Sequence, residues 1–243
     1  MLEVKNVSKF FKGLVALDNV TFTVEKDTIQ GIIGPNGAGK STMFNCITCF
    51  FPASKGEVIF EGKNISGMKP HKITELGITR TFQHTQVFPE LTVRNNILTG
   101  QNVMQRKDRK RSKEQLRAKI DEIIAFVGLE SLEENLGKNL SLGQQTKLAI
   151  AISLATEPKM LLLDEPAAGM NPEETNQLVD LLRKIKKMGV TVVLIEHDMK
   201  AVMGLCERIV VLEHGKKIAE GSPKEIRNNP KVIEAYLGSE ELA

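Results

Sequence analysis

Gly34-Pro35-Asn36-Gly37-Ala38-Gly39-Lys40-Ser41 is the stretch on which the reading of this chain turns. It fills the phosphate-loop pattern in full, and it stands between a segment that reads as a strand and one that reads as a helix. The physics of the pattern is specific. Glycines let successive backbone amides point into one concavity, which holds phosphate oxygens. The helix that follows adds the partial positive charge of its N-terminus. Lys40 is placed to neutralise β- and γ-phosphates, and the Ser41 hydroxyl can ligate Mg²⁺. The candidate nucleotide contacts are Gly34, Asn36, Gly37, Ala38, Gly39, Lys40, Ser41 and Thr42. A glycine-rich turn matching by chance is the bland alternative, and the flanking strand and helix argue against it.

Working outward, the preceding Ile29-Gln30-Gly31-Ile32-Ile33 is a short apolar strand ended by turn residues. Val20-Thr21-Phe22-Thr23-Val24 alternates with period two, as on a half-buried strand, and Val58 and Phe60 repeat the pattern less cleanly. The middle of the chain changes character. Ser112 to Gln115 has the spacing of a capping box, and Leu116, Ile120, Ile123, Ile124 and Val127 follow at helical intervals up to Gly128. A second helix is expected from near Ser141 through Leu148, Ile152 and Ala155 to the Pro158 break. Residues 85–157 therefore read as a helical lobe inserted into an α/β lobe made of 1–84 and 158–243.

The α/β pattern then returns. Met160-Leu161-Leu162-Leu163 is uniformly apolar, as a strand covered on both faces must be. Asn171-Pro172-Glu173-Glu174 is a strong helix start. Leu178, Leu181, Leu182, Ile185 and Met188 make one stripe, ended by Gly189. Val190 to Ile195 is the next buried strand. Strand, helix, strand at this spacing implies a parallel sheet with right-handed crossovers.

Composition excludes several classes. The 243 residues are 41% hydrophobic and 26% charged, which is globular rather than disordered. A net charge of +3 is too small to argue for nucleic-acid binding. Three Cys suit a reducing compartment rather than a disulfide framework. The N-terminus has no signal-peptide pattern, and no apolar run approaches the ~20 residues of a spanning helix.

Asp164-Glu165 follows the apolar strand directly, at the strand ends where open parallel sheets bind ligands. Asp164 can hold the hydration shell of Mg²⁺, and Glu165 can polarise an attacking water. A capping acid pair would be the plain reading if these residues stood alone.

Leu140-Ser141-Leu142-Gly143-Gln144, just ahead of that pair, resembles the signature of ATP-binding-cassette (ABC) ATPases. The other landmarks of that family fall in order: Gln83 in Thr81-Phe82-Gln83, Glu165-Pro166, Gly169-Met170-Asn171-Pro172, and His197 in Ile195-Glu196-His197-Asp198. Within the family the chain is similar to ATPase subunits of branched-chain amino-acid importers. Arg80-Thr81-Phe82-Gln83, Leu91-Thr92-Val93, Ala167-Ala168-Gly169-Met170-Asn171-Pro172 and Ala235-Tyr236-Leu237-Gly238 carry that finer likeness. The resemblance implies a RecA-like α/β lobe with an N-terminal antiparallel β region and an inserted helical lobe.

It also implies roles. Two copies, or this chain and a paralogue, would face head to tail with ATP between them. Ser141, Gly143 and Gln144 of one would reach the γ-phosphate held by the other, so an isolated monomer should be nearly inactive. Gln83 would reach the Mg²⁺ and the attacking water and begin the segment that meets the membrane subunit. His197 would contact the γ-phosphate, although a lone His at a strand end is more often a surface residue. Phe11 would stack on adenine; Phe10 is the neighbouring alternative, with one of the two expected in the core. Catalytic Glu165, His197 and Gln83 would act on ATP with Mg²⁺ held by Ser41, Gln83 and Asp164. The implied partners are permease subunits and, through them, an external solute-binding protein. No nucleic acid is expected, and the place of work is the cytoplasmic face of the membrane.

Two positions depart from the family pattern. Leu142 stands where most ABC proteins have Gly, and Asn171 replaces a common Asp. Cys46-Ile47-Thr48-Cys49 has redox or metal spacing but reads better as packing on a helix. Arg106 to Arg111 is a basic run that reads as a solvated tip, with contact to anionic lipid as the sharper alternative. A lipid or lipopolysaccharide exporter is the competing transport reading. A soluble ABC protein on nucleic acid or ribosomes ranks last, because there is one set of motifs and no long heptad insertion.

Overall fold

The computed structural model describes residues 1–81, 87–107 and 112–237, with the backbone alone at 102–107, 113 and 237. Gln83 lies outside the described residues, and so do the side chains of the basic run Arg106 to Arg111.

The chain opens with β1 (Leu2–Phe11) and β2 (Leu14–Val24), then β3 (Ile29–Ile33), α1 (Lys40–Ile47), β4 (Lys55–Phe60) and β5 (Lys63–Asn64). Next come α2 (Pro70–Leu76), β6 (Ile78–Arg80), α3 (Val93–Lys107), α4 (Lys113–Val127) and α5 (Leu142–Leu154). It closes with β7 (Met160–Asp164), α6 (Pro172–Lys187), β8 (Thr191–Ile195), α7 (Met199–Leu205), β9 (Arg208–Glu213), β10 (Lys216–Gly221), α8 (Pro223–Arg227) and α9 (Pro230–Leu237).

Two sheets result. One is antiparallel, in the order β2-β1-β4-β5, and the other runs β10-β9-β3-β8-β7-β6. In the larger sheet β9, β3, β8, β7 and β6 are parallel, and β10 pairs antiparallel with β9.

The uniformly apolar strands have a simple cause. Their side chains alternate between two separate cores. Ile29, Ile33, Leu161, Leu163, Val192 and Leu194 enter one, with α4, α5 and α6 packed over them. Ile32, Met160, Leu162, Val193 and Ile195 enter the other, closed by α1 and the antiparallel sheet. Each fully buried Leu or Ile stabilises the fold by about 1.5–3 kcal/mol, so neither face of these strands tolerates a polar side chain lightly. In β2 only one face is covered, and there the alternation appears as buried Val20, Phe22 and Val24 between exposed Thr21 and Thr23.

The local start and stop signals work as expected. Ser112, Ser141 and Asn171 each cap a helix reciprocally with Gln115, Gln144 and Glu174. Gly128 closes α4 in the left-handed conformation. One expectation fails: Met188 is the C-terminal cap of α6 and is 55% exposed, so the stripe ends at Ile185. α6 ends at Lys187, so Met188 lies past the last helical turn and outside the packed face. After residue 198, β9 adds a further parallel strand and β10 the antiparallel edge.

Candidate functional site

Parallel pairing aligns the C-terminal ends of three strands. Ile32 of β3 lies opposite Ile195 of β8, and Ile195 lies opposite Asp164 of β7. The phosphate loop, Asp164-Glu165 and Glu196-His197 leave those ends together, so residues up to 163 positions apart share one edge.

The loop is held from behind. Gly34 has φ 151°, and a Cβ there would stand 2.0 Å from the Leu212 carbonyl oxygen. Gly39 has φ 100°, and its Cβ would stand 2.7 Å from the Ala16 oxygen. Backbone of β9 and β2 therefore presses on the loop where only glycine fits. The Gly215 amide donates to Ala38 O at 3.1 Å, and the Asp18 amide to Gly215 O at 2.8 Å. Ala38 and Lys40 are buried, Thr42 and Gly39 half-buried, and Asn36, Gly37 and Ser41 exposed. Lys40 Nζ donates to Gly34 O at 2.6 Å and to Pro35 O at 3.2 Å. It is thus folded over the loop's own carbonyls. No side chain caps α1, which leaves its N-terminal amides and dipole for an anion.

Asp164 is 3% exposed, and its Oδ2 forms an ion pair with Arg80 Nη2 at 2.6 Å. Arg80 Nη1 donates to Asn45 Oδ1 on α1, also at 2.6 Å. The same guanidinium lies 5.5 Å from the Phe44 ring centroid. One cation therefore ties β6, β7 and α1 together. The other carboxylate oxygen, Asp164 Oδ1, is buried without a hydrogen-bond partner among the described residues. Such an oxygen suits a small hard cation, and Mg²⁺ is commonly held by one or two protein oxygens plus substrate phosphates. The donor set Asp164, Ser41 and a nucleotide therefore fits Mg²⁺.

Glu165 sits at φ 48°, a left-handed conformation that costs a non-glycine residue about 1–2 kcal/mol. Its amide donates to Ile195 O at 2.9 Å. Its Oε2 lies 4.0 Å from His197 Nδ1, and Glu196 Oε2 lies 3.9 Å from the same nitrogen. Glu196 is 2% exposed; it accepts the Ala167 amide at 2.8 Å and the His197 amide at 3.2 Å. Burial pushes its pKa above the ordinary carboxylate range, and those backbone donors oppose the rise.

The Ser141 region lies at the start of α5. Ser141 Oγ accepts the Gln144 amide at 3.3 Å, and Gln144 Oε1 accepts the Ser141 amide at 2.9 Å. Gly143 is buried against α6, where a Cβ would stand 2.8 Å from Glu174 Oε1. Leu142 is 44% exposed. Its Cδ2 lies 3.0 Å from where Gly169 would carry a Cβ, so its side chain rests on the loop after Glu165. Asn171 uses its acceptor oxygen to cap α6, a task for which the charge of an Asp is not needed.

Phe10 and Phe11 are 37% and 41% exposed, so neither is in the core, contrary to expectation. Both lie at the turn end of the β1–β2 hairpin, beside the Phe11–Leu14 pair, where the sheet projects toward solvent. Phe11 meets Phe51 edge-on at 5.1 Å, and Lys9 Nζ lies 4.9 Å from its ring centroid. Cys46 and Cys49 are buried at 1% and 5%. Burial pushes Cys46 up to about 11, and Cys49 Sγ donates to Ile65 O at 3.2 Å; packing is their role.

Sequence reasoning singled out no function for Arg80, Asn45 or Glu196. The available signals were a charge closing the short strand Ile78-Thr79-Arg80 and an acid directly after the four apolar residues Val192 to Ile195 of β8.

Known proteins resemble this chain in sequence and in fold. A family described as ABC transporter matches residues 17–168, and one described as branched-chain amino acid ATP-binding cassette transporter matches residues 216–241. The high-affinity branched-chain amino acid transport ATP-binding protein BraF of Pseudomonas aeruginosa is 40% identical, over 98% of each chain. The crystal structure of the ADP conformation of MJ1267, an ATP-binding cassette of an ABC transporter, superposes with a TM-score of 0.89. It is 35% identical, over 98% of this chain and 99% of that one. The dimeric post-hydrolysis state of the cassette MJ0796 bound to ADP and Pi has a TM-score of 0.81 at 30% identity, over 92% and 99%. With a matching family across well over half its length and a relative of this identity, the chain belongs to the ABC transporter family, among its ATP-binding cassettes.

Proposed function

We propose that this chain is the ATP-binding and ATP-hydrolysing subunit of an importer for branched-chain or other hydrophobic amino acids. The observation that carries the chemistry is the meeting of Lys40, Asp164, Glu165 and His197 at one edge of the parallel sheet. The solute class is supported by the likeness to BraF and by the family match at residues 216–241.

In this mechanism the loop amides and Lys40 hold the phosphates of ATP, and Phe11 stacks on adenine. Ser41 and Asp164 would hold Mg²⁺, and the family resemblance assigns Gln83, which lies outside the described residues, to the same ion. The ion, when bound, neutralises phosphate charge. Glu165 orients a water and takes its proton as the water oxygen bonds to the γ-phosphorus and the bond to the ADP oxygen breaks. His197 steadies the charge on the γ-phosphate. This is positioning and charge compensation rather than covalent catalysis. Ser141, Gly143 and Gln144 offer the capped start of α5 to the nucleotide of a second cassette, identical or paralogous. The dimeric form of MJ0796 supports such a pairing. Residues 85–157, with α3 to α5, serve as the helical lobe, and 1–84 with 158–243 as the core lobe.

No helix among the described residues is long and apolar enough to cross a membrane. On the likeness to transport ATP-binding proteins, the chain would work at the cytoplasmic face, bound to permease subunits that receive solute from an external binding protein. No role with nucleic acid is proposed.

The test is ATPase activity of the chain reconstituted with its permeases in vesicles. Branched-chain amino acid delivered by the binding protein should stimulate it. Glu165→Gln should keep ATP binding and lose about 10²–10⁴ in turnover, the scale of a positioned general base. Lys40→Ala should lose binding and hydrolysis together. Full turnover in the Glu165 variant would remove that residue from the base role, and stimulation by unrelated solutes alone would refute the solute class.

A further inference from the structure

Glu196 stands between two parts of the site and has no part in the mechanism proposed for either. Its carboxylate is buried, with 2% of the residue exposed. Oε1 accepts the Ala167 amide at 2.8 Å, across 29 positions of sequence. Oε2 accepts the His197 amide at 3.2 Å and lies 3.9 Å from the imidazole Nδ1. One carboxylate thus holds the turn that carries Glu165 and the start of the segment that carries His197.

That turn requires holding. Glu165 is left-handed at φ 48°, and the Ala168 amide closes back on Glu165 O at 3.2 Å. A strained residue persists only where its surroundings over-determine it. Two bonds contribute to this here, and both run to the end of β8. The Glu165 amide reaches Ile195 O, and the Ala167 amide reaches the Glu196 side chain. The first is backbone and available to any sequence. The second depends on residue 196. Packing alone does not explain a carboxylate at this place, because an apolar side chain would fill the volume without the cost of burying a charge. A carboxylate is acceptor-only, so each of its two oxygens takes an amide donor here, whereas a glutamine would present an NH₂ donor at one of the two.

We propose that Glu196 is a positioning residue that locks the Glu165–Ala168 turn to the His197 segment, so that Glu165 and His197 are presented to the γ-phosphate as one unit. The inference deepens the proposed function and rests on it for the meaning of that presentation.

The experiment uses the full chain with Glu196→Gln, which is isosteric but turns one oxygen into a donor facing amide N–H groups. Glu196→Asp, which keeps the charge and loses reach, is the second variant. Hydrogen exchange of residues 165–168 and binding of a fluorescent ATP analogue are read on the isolated chain. ATP turnover is read in the reconstituted complex. Both variants should speed exchange at Ala167 by tenfold or more and leave nucleotide affinity within twofold. They should lower kcat by about 10–100-fold with KM within twofold. Unchanged exchange, or affinity falling in step with kcat, overturns the proposal. If the Gln variant does not fold, the Asp variant is read in the same way and decides the question on the same terms. Wild-type complex without ATPase activity would count against the proposed function alone, since exchange and binding are measured without it.

Discussion

Arg80→Met tests whether the site is built around a buried ion pair. The two side chains are 7% and 3% exposed and 2.6 Å apart, so little solvent screens them. Removing one partner leaves the Asp164 carboxylate buried without its cation, which costs about 3–5 kcal/mol. The lost bond to Asn45 adds about 1 kcal/mol. For a chain of this length each kcal/mol lowers the melting temperature by about 2–4 °C. The variant should therefore melt about 8–24 °C below the parent, measured by circular dichroism without nucleotide. Asn45→Ala isolates the smaller bond and should cost only about 0.5–1.5 kcal/mol. A cycle with Asp164→Asn should return a coupling of at least about 2 kcal/mol between Arg80 and Asp164, because the two share a short, dry contact. A loss of less than about 1 kcal/mol in Arg80→Met, the value of an exposed pair, would refute the reasoning. The pair would then be a contact without structural weight, and Asp164 would need another source of order.

Other consequences are simpler to measure. Gln30 is 1% exposed on β3, and neither its Nε2 nor its Oε1 has a hydrogen-bond partner among the described residues. Gln30→Met keeps the shape and should raise stability by about 1–3 kcal/mol; a lower melting temperature would show that the amide is satisfied. Gly34→Ala would place a methyl 2.0 Å from Leu212 O, so it should cost about 3 kcal/mol or more or yield insoluble protein, and a normal melt counts against the loop geometry. Burial pushes the thiols of Cys46 up to about 11 and Cys206 up to about 12, so maleimide at pH 8 should label neither in the folded chain and both in denaturant. Rapid labelling of folded protein at either position would show that the core opens there.

The sequence by itself determined the chemistry-bearing segments, because each is local. A phosphate loop is eight consecutive residues, a capping box spans four, and an apolar strand ending in Asp164-Glu165 is contiguous. Backbone conformation over such distances follows from glycines, caps and hydrophobic period, and those are legible in a line of residues. Tertiary structure decided what these segments touch. Arg80 reaches Asp164 across 84 positions, and Ala167 reaches Glu196 across 29. Neither pairing has a sequence signature, because it depends on which strands lie side by side and in what register. Met188 and the two Phe residues of the first hairpin make the same point from the other side. Period and residue type said that they are apolar; only the place where the helix ends and the sheet stops covering them decided that they face solvent.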